Sequence, residues 1–337
     1  MSVTIKDIAK IAGVSYATVS RALNDHSEVS EKTKEKIIQI TEVMGYSPNA
    51  IARGLVRKNT NTIGLLIPDI TNPYFPEVAR GVEDYAISHG FNVFLCNTNW
   101  EEKKEYDYIR VLREKRVEGL VVAPVSISSH QKIEEADLKT PVIYIGSKSG
   151  DKNENYVILD NAKAAFMATE YFIELGHENI GFIGGYENSS SNVDRVKGYR
   201  DALKKHCLEK EINVVKSSSY KRSSGYALAL ELIKEGRVPS AVLAANDIIA
   251  LGVIEALETH GYTVPGDVSV IGFDDILFAS LPKINLTTVA QPKYEMGGVA
   301  AKILLQLIGC NNVDGDKILN QYIVEPKLII RGTCRKK

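Results

Sequence analysis

Residues 4–24 read TIKDIAKIAGVSYATVSRALN, two short amphipathic helices joined at Gly13. Thr4 is a good N-cap with Asp7 three positions on, a capping-box spacing, and Val3 and Ile8 stand where a hydrophobic staple packs. Ile5, Ile8, Ala9 and Ala12 form one apolar face at helical spacing. Ser15 caps the second helix, and Val14 and Val19 repeat the staple. Val19 and Leu23 point inward, whereas Ala17, Ser20, Arg21 and Asn24 share the opposite face. That outer face offers a guanidinium for guanine, a hydroxyl and an amide for phosphates, and a methyl for thymine. Tyr16 falls at the helix N-terminus, where a recognition helix first meets base edges. Taken alone, the same pattern also suits an ordinary solvated helical hairpin.

Moving outward, a third helix is expected from Ser30 to Met44, with Ile37, Ile40 and Met44 inward and Gly45 as its stop. Residues 1–47 thus make a small three-helix headpiece. Residues 48–60 read as a linker in which Pro48 opens a short helix over Asn49–Arg57, too short to be stable alone. Residues 1–60 hold nine lysines and arginines against six acids. The whole chain has a net charge of −1, so the remainder carries −4. A basic headpiece on a mildly acidic body suits a reader of a polyanion.

From Thr62 the texture changes. Apolar runs at 63–68, 92–97, 119–124 and 141–146 alternate with amphipathic stretches at 74–89 and 102–116. The pattern then restarts with runs at 180–185, 212–217, 240–246 and 268–275 around helices at 194–207, 223–235 and 248–260. Continuous apolar strands separated by helices predict parallel sheets covered on both faces. The fold class is α/β, with residues 61–337 forming two doubly wound lobes. Lobe 1 is expected at about 61–160 and 292–321, lobe 2 at about 161–291 and 322–337. Residues 151–161 and 286–292 read as crossings between them. Such a pair of lobes faces a cleft at the carboxyl ends of the strands.

The motifs TIKDIAKIAGVSYATVSRALN, PNAIARGL, PDITNPYF, AANDIIALG, VIGFDD and VAQPKYEMG stand in the order and spacing of the LacI/GalR family of bacterial transcription regulators, which the chain resembles over essentially its whole length. The resemblance implies a helix-turn-helix headpiece, a hinge helix and a core similar to periplasmic sugar-binding proteins. It also implies a homodimer on a pseudo-palindromic operator, that is, double-stranded DNA as a partner. On the matching positions it implies Tyr16, Ala17 and Arg21 as base readers and Ser15, Thr18, Ser20 and Asn24 as phosphate contacts. Thr4, Asn49 and Ala52 are further DNA-contacting positions. Leu55 takes the place of a minor-groove wedge, which unstacks and kinks a base step. Packing under the core is the competing role for Leu55, but Asn49, Arg53, Arg57 and Lys58 around it favour a DNA-facing hinge.

For the cleft, the resemblance implies an effector site of Asn72, Tyr74, Phe75, Ser147, Arg195, Tyr220, Asn246, Asp274 and Gln291. Polar forks of this kind bind hydroxyls, and aromatic faces cover the apolar side of a ring. Asn246 and Asp274 can equally be helix caps. Pentose-binding members commonly carry an Asp-Arg pair after the strand PVIYIG. Gly146-Ser147 stands there in this chain, which leaves the usual ribose clamp incomplete. A sugar or sugar derivative is the expected effector, with a nucleobase or nucleoside, or a phosphorylated carrier protein as corepressor, as alternatives.

Nothing in the sequence supports catalysis. The serine runs 189–191 and 217–219 lack a nucleophile elbow and read as loops, and no phosphate loop is present. Glu101, Glu102 and Glu105 read as a solvated charged face. His89, His177, His206 and His260 fall near helix ends without metal-ligand spacing, and no cofactor is expected. Cys96, Cys207, Cys310 and Cys334 are scattered, without a CxxC pair, and read as buried or inert. The N-terminus shows no apolar leader and no run approaches a membrane span, which points to the cytoplasm. The C-terminus lacks an a/d repeat, so a dimer is expected rather than a tetramer. The expected function is repression of carbohydrate uptake or catabolism genes. A solute-binding module without any DNA role and a sugar-directed α/β enzyme are the rival classes.

Overall fold

The computed structural model describes residues 3–23, 28–45, 60–135, 140–209, 213–215, 219–310 and 320–337. Two compact units divide at Thr60/Asn61.

The first unit contains helices α1 (Ile5–Ala12), α2 (Tyr16–Leu23) and α3 (Glu31–Val43). Asp7 Oδ2 accepts from the Thr4 backbone N–H at 2.9 Å and from its hydroxyl at 2.7 Å. Those two bonds hold the Asp7 carboxyl below its usual range. α1 ends at Gly13, whose φ of +72° closes the turn into α2. Ser15 Oγ accepts from Thr18 N–H at 3.1 Å, and Ser30 Oγ accepts from Thr33 N–H. Ile8, Ala9, Ala12, Val19, Ala22, Val29 and Ile37 make the small core. Lys36 crosses from α3 to donate to the Ala12 carbonyl at 3.0 Å, satisfying one of the orphan acceptors at the end of α1.

The second unit is built from two six-stranded sheets. The first holds β1 (Thr62–Ile67), β2 (Asn92–Asn97), β3 (Gly119–Val122), β4 (Val142–Ile145), β5 (Tyr156–Leu159) and β11 (Gln321–Val324). Its order is β11-β5-β4-β3-β1-β2 and every pairing is parallel. Helices α4 (Tyr74–Ser88), α5 (Glu102–Glu114), α6 (Ile127–Glu135) and α11 (Lys293–Cys310) belong to this lobe. The second sheet holds β6 (Ile180–Ile183), β7 (Asn213–Val215), β8 (Ala241–Ala244), β9 (Ser269–Asp274), β10 (Thr287–Ala290) and β12 (Lys327–Ile329). Its order is β12-β10-β9-β8-β6-β7, with β12 antiparallel to β10. Helices α7 (Asn161–Glu174), α8 (Ser190–Lys205), α9 (Arg222–Lys234) and α10 (Asp247–Thr259) pack on it.

The central strands are buried along their length, β1 and β9 at all six positions, as their unbroken apolar runs require. α4 meets α11 backbone to backbone. A Cβ on Gly81 would lie 2.0 Å from the Tyr294 carbonyl oxygen, so only glycine fits that crossing.

Three differences from the sequence expectations concern connections. Residues 151–161 and 286–292, expected as crossings, contain strands β5 and β10, so within them the chain changes lobe at Asp160–Asn161 and Gln291–Pro292. The third passage lies at Glu325–Pro326, because β11 pairs with β5 in the first sheet. α8 starts at Ser190, four residues before its expected start, taking the serine run 189–191 as its cap and first turn.

Candidate functional site

Both functional surfaces are positioned by helix and strand termini. In the headpiece, α2 leaves Tyr16 62% exposed while Val19 and Ala22 are buried. Arg21 is exposed and pairs with Glu28 at 3.3 Å, an ion pair in solvent that opens at little cost. Ser15 and Thr18 are tied to each other, hydroxyl to hydroxyl at 2.9 Å, and Thr4 is tied to Asp7. Ala17 and Ser20 are half-buried. The exposed edge of α2 thus presents Tyr16 and Arg21. Asn24, Asn49, Ala52 and Leu55 lie outside the described residues.

In the second unit a cavity partly open to solvent lies between the lobes, and nearly every strand sends a residue to it from its carboxyl end. Asn72, Tyr74 and Phe75 follow β1, Ser147 follows β4, Asn246 follows β8, Asp274 closes β9 and Gln291 follows β10. Arg195 from α8 and Tyr220 complete the set, so all nine cleft residues picked from the sequence line one cavity.

Arg195 is 5% exposed. Its Nε donates to Asn161 Oδ1 at 2.8 Å and Nη1 donates to the Ala245 carbonyl, while the guanidinium lies 3.8 Å over the Phe273 ring. Gln291 Nε2 donates to Asp274 Oδ1 at 2.6 Å. Lys293 Nζ donates to the carbonyls of Asp274 and Asp275 at 2.8 Å each. Burial pushes the Asp274 carboxyl up to about 6, against the pull of Arg195, Gln291 and Lys293. Burial likewise raises Asp247, whose Oδ2 accepts from Ile276 N–H, and the charge of Asp274 adds to that rise. Burial, with Asp274 second, raises the Tyr74 phenol. Asn246 is both cap and lining residue: its Oδ1 accepts from Ile249 N–H at 2.8 Å. Asn72 likewise accepts from Tyr74 N–H at 3.1 Å.

Because Asp274 has a higher value when folded than the ordinary 3.8, the folded protein holds that proton more tightly. Its contribution to stability is full below about pH 4 and is lost as pH rises through 6, a change of about 3 kcal/mol. Urea unfolding of the ligand-free protein at pH 4.5 and at pH 7 reads this loss. Asp274→Asn is expected to shrink the difference between the two conditions by its own share, the raised carboxyls of Asp247 and Glu105 supplying the rest. A difference equal to that of the wild type would place the responsible group elsewhere.

Trp100 is the residue that sequence reading missed. It follows β2 and stacks on Tyr186 at 4.7 Å and Tyr220 at 5.0 Å in lobe 2, with Phe75 of its own lobe at 6.3 Å. Asn99 and Trp100 have φ of 54° and 59°. An indole in the left-handed region is unusual, and such backbone is kept where the surroundings over-determine it. Here Trp100 N–H donates to the Pro68 carbonyl. The signal in the sequence is that this single tryptophan stands just beyond a strand end, after Thr98 and Asn99. Asn161 and Ser189 also line the cavity without having been singled out.

Several bland readings are corrected. Glu105 is 2% exposed and accepts from Val125 N–H at 3.0 Å, and burial raises its carboxyl. Glu102 holds Ser126, Ser128 and Lys132. His177 is buried against Ser240, Ser269 and the Arg335 carbonyl, clamping the last residues to the second sheet. Cys207 is exposed, whereas burial pushes the Cys334 thiol up to about 12. No helix among the described residues is long and apolar enough to cross a membrane, and no metal-binding cluster occurs among them.

A small helical unit with an exposed recognition edge, followed by a two-lobed α/β receptor, defines a ligand-responsive regulator of transcription. Residues 4–49 match the family model described as bacterial regulatory proteins, lacI family, and residues 60–329 match that of periplasmic binding proteins and the sugar binding domain of the LacI family. The chain belongs to the LacI family of DNA-binding transcription regulators, which are not enzymes. It is 38% identical to the transcriptional regulator RegA of Clostridium saccharobutylicum, over 98% of this chain and 99% of that one. The Lac repressor dimer bound to operator and the anti-inducer ONPF superposes with a TM-score of 0.88, at 28% identity over 99% and 100% of the two chains. The regulator CelR in complex with cellobiose gives 0.73, at 26% identity over 98% and 99%.

Proposed function

We propose that the protein is a repressor of carbohydrate uptake or catabolism genes, acting as a homodimer on a pseudo-palindromic operator in the cytoplasm. Its effector is a neutral carbohydrate held in the cavity between the lobes. The observation that carries this reading is the charge balance of the lining, where Arg195 and Asp274 are the charged side chains and have opposite signs. Arg195 already serves Asn161, the Ala245 carbonyl and the Phe273 ring. Its charge is opposed by Asp274 in the same lining, which leaves no net positive charge for a phosphate, whereas Asp274, Gln291 and Asn246 suit hydroxyls, and Trp100 with Tyr220 suits an apolar sugar face. The cellobiose held by CelR supports the same class.

Ligand binding changes operator affinity only through its differential affinity for the two states of the lobes. Asn49, Ala52 and Leu55 are assigned to the hinge that docks on DNA, Ser15, Thr18, Ser20 and Asn24 to phosphates, Tyr16, Ala17 and Arg21 to bases, and Thr4 to a further DNA contact. A thermal-shift panel of cellobiose, ribose, their phosphates and nucleosides tests the cleft. Stabilisation by a neutral sugar, lost in Asp274→Asn, is expected. A response to phosphorylated sugars alone would sink the neutral reading.

Arg21→Ala tests the headpiece on an operator selected from random duplexes. It is expected to weaken binding by about 1–3 kcal/mol and to relax base preference at one position. Unchanged affinity and selectivity in a gel-shift titration would remove Arg21 from the reading face.

A further inference from the structure

Behind the cavity wall, His130 on α6 is 1% exposed and both of its ring nitrogens are engaged. Nδ1 lies 2.7 Å from Glu154 Oε1, and Nε2 lies 3.0 Å from Ser147 Oγ. The Tyr144 ring packs against the imidazole at 4.1 Å. Glu154 is pinned at its other oxygen too, where Oε2 accepts from Ser149 N–H at 2.9 Å. Burial opposes the charge of Glu154, but the bonds from His130 and Ser149 outweigh it and hold the carboxyl below its usual range. Ser147 then reaches across the cleft, its Oγ 2.8 Å from Ser190 Oγ at the first turn of α8. Ser190 Oγ also accepts from Lys148 N–H at 3.2 Å. Three of these side chains sit in lobe 1 and the fourth in lobe 2.

The hydrogens of this chain can be placed one by one. An ionised Glu154 only accepts, so Nδ1 of a neutral imidazole must carry the ring proton. Nε2 is then an acceptor, and the hydroxyl placed to donate to it is that of Ser147. Ser147, having given its hydrogen to His130, can only accept from Ser190. We propose that the Glu154–His130 dyad fixes this direction, making Ser190→Ser147 a hydrogen-bonded latch between the lobes and leaving Ser147 a pure acceptor toward the cavity. The position after β4 therefore selects a ligand hydroxyl that donates, and an acceptor placed there meets a lone pair. A carbohydrate hydroxyl that donates to Ser147 competes with Ser190 for the same oxygen, which couples ligand entry to the latch. That last step rests on the carbohydrate reading; the direction of the chain does not.

Nitrogen-15 spectroscopy of histidine-labelled, ligand-free protein at about pH 8, where an ordinary imidazole is neutral, tests it. The His130 signals are assigned by their loss in His130→Gln. A protonated Nδ1 and a hydrogen-bonded, unprotonated Nε2 are expected, with Nε2 moving toward the free-nitrogen position in Ser147→Ala. In Ser190→Ala the Lys148 amide is expected to exchange about five- to tenfold faster, the worth of one net hydrogen bond, while Ser190→Thr keeps the slow rate. A proton on Nε2, or on both nitrogens, overturns the direction. Unchanged Lys148 exchange in Ser190→Ala overturns the latch. Failure of cellobiose and ribose to bind would strike the carbohydrate reading and leave these two results standing.

Discussion

Arg195→Met is expected to lower the stability of the ligand-free protein by about 3–5 kcal/mol, the cost of leaving a buried charge uncompensated. The methionine keeps most of the side-chain volume, so the loss comes from the partners left behind. Asn161 Oδ1 and the Ala245 carbonyl lose their donor. Asp274 loses the strongest of the charges that restrain its rise. Protonation of Asp274 limits the damage at low pH, so the variant should lose stability more steeply than the wild type as pH rises toward 7. Arg195→Met combined with Asp274→Asn removes both charges and is expected to recover part of the loss, a coupling that a double-mutant cycle in urea isolates. An unfolding midpoint equal to the wild type's at pH 7 would mean that Arg195 is not the counter-charge of the cleft. Neither variant is expected to show a carbohydrate-induced thermal shift.

That result bears on how the cleft is built. Asp274 lies at the end of β9 and Gln291 just beyond β10, neighbouring strands in parallel register, which is what brings Gln291 Nε2 to Asp274 Oδ1. The site thus inherits its geometry from sheet pairing. Residues at strand ends were legible in the sequence because apolar runs such as VSVIGF stop abruptly at a polar residue. The caps were legible for the same reason: Asn246 opens α10 with the side-chain bond that its residue type predicts.

What stayed hidden depends on residues far apart in the chain. Glu105 sits amid charged neighbours in EEKKEYDYIR, and nothing local distinguishes it from the solvated Glu101. The bonds from Val125 N–H, twenty positions away, and from the Ser129 side chain make burial tolerable. His130 and Glu154 meet across 24 positions, and His177 meets Ser269 across 92. Strands β10 and β11 read TTVA and QYIV, too short and too mixed to stand out as apolar runs. Their place in the sheets is fixed by pairing with β9 and β5.

The second large effect is expected at Trp100. Its ring packs against the apolar cores of both lobes, touching Phe75 on one side and Tyr186 and Tyr220 on the other. Each aromatic pair adds about 0.5–1.5 kcal/mol beyond the area buried, so two cross-lobe pairs give about 1–3 kcal/mol toward holding the lobes together. Trp100→Ala removes that contribution and the platform for a sugar ring at once. Carbohydrate affinity is expected to fall by about a hundredfold or more, the equivalent of roughly 3 kcal/mol. Trp100→Phe should keep part of it, because a smaller ring still reaches Tyr186. The chain holds a single tryptophan, so indole fluorescence reports this contact without interference. A sugar entering between Trp100 and Tyr220 must alter the ring separation and hence the emission, and the titration gives the affinity directly. A sugar that stabilises the protein while leaving the emission unchanged would place the ligand away from Trp100. The aromatic stack would then be a strut between the lobes that ligand binding does not disturb, and Trp100→Ala would weaken the fold without weakening the affinity.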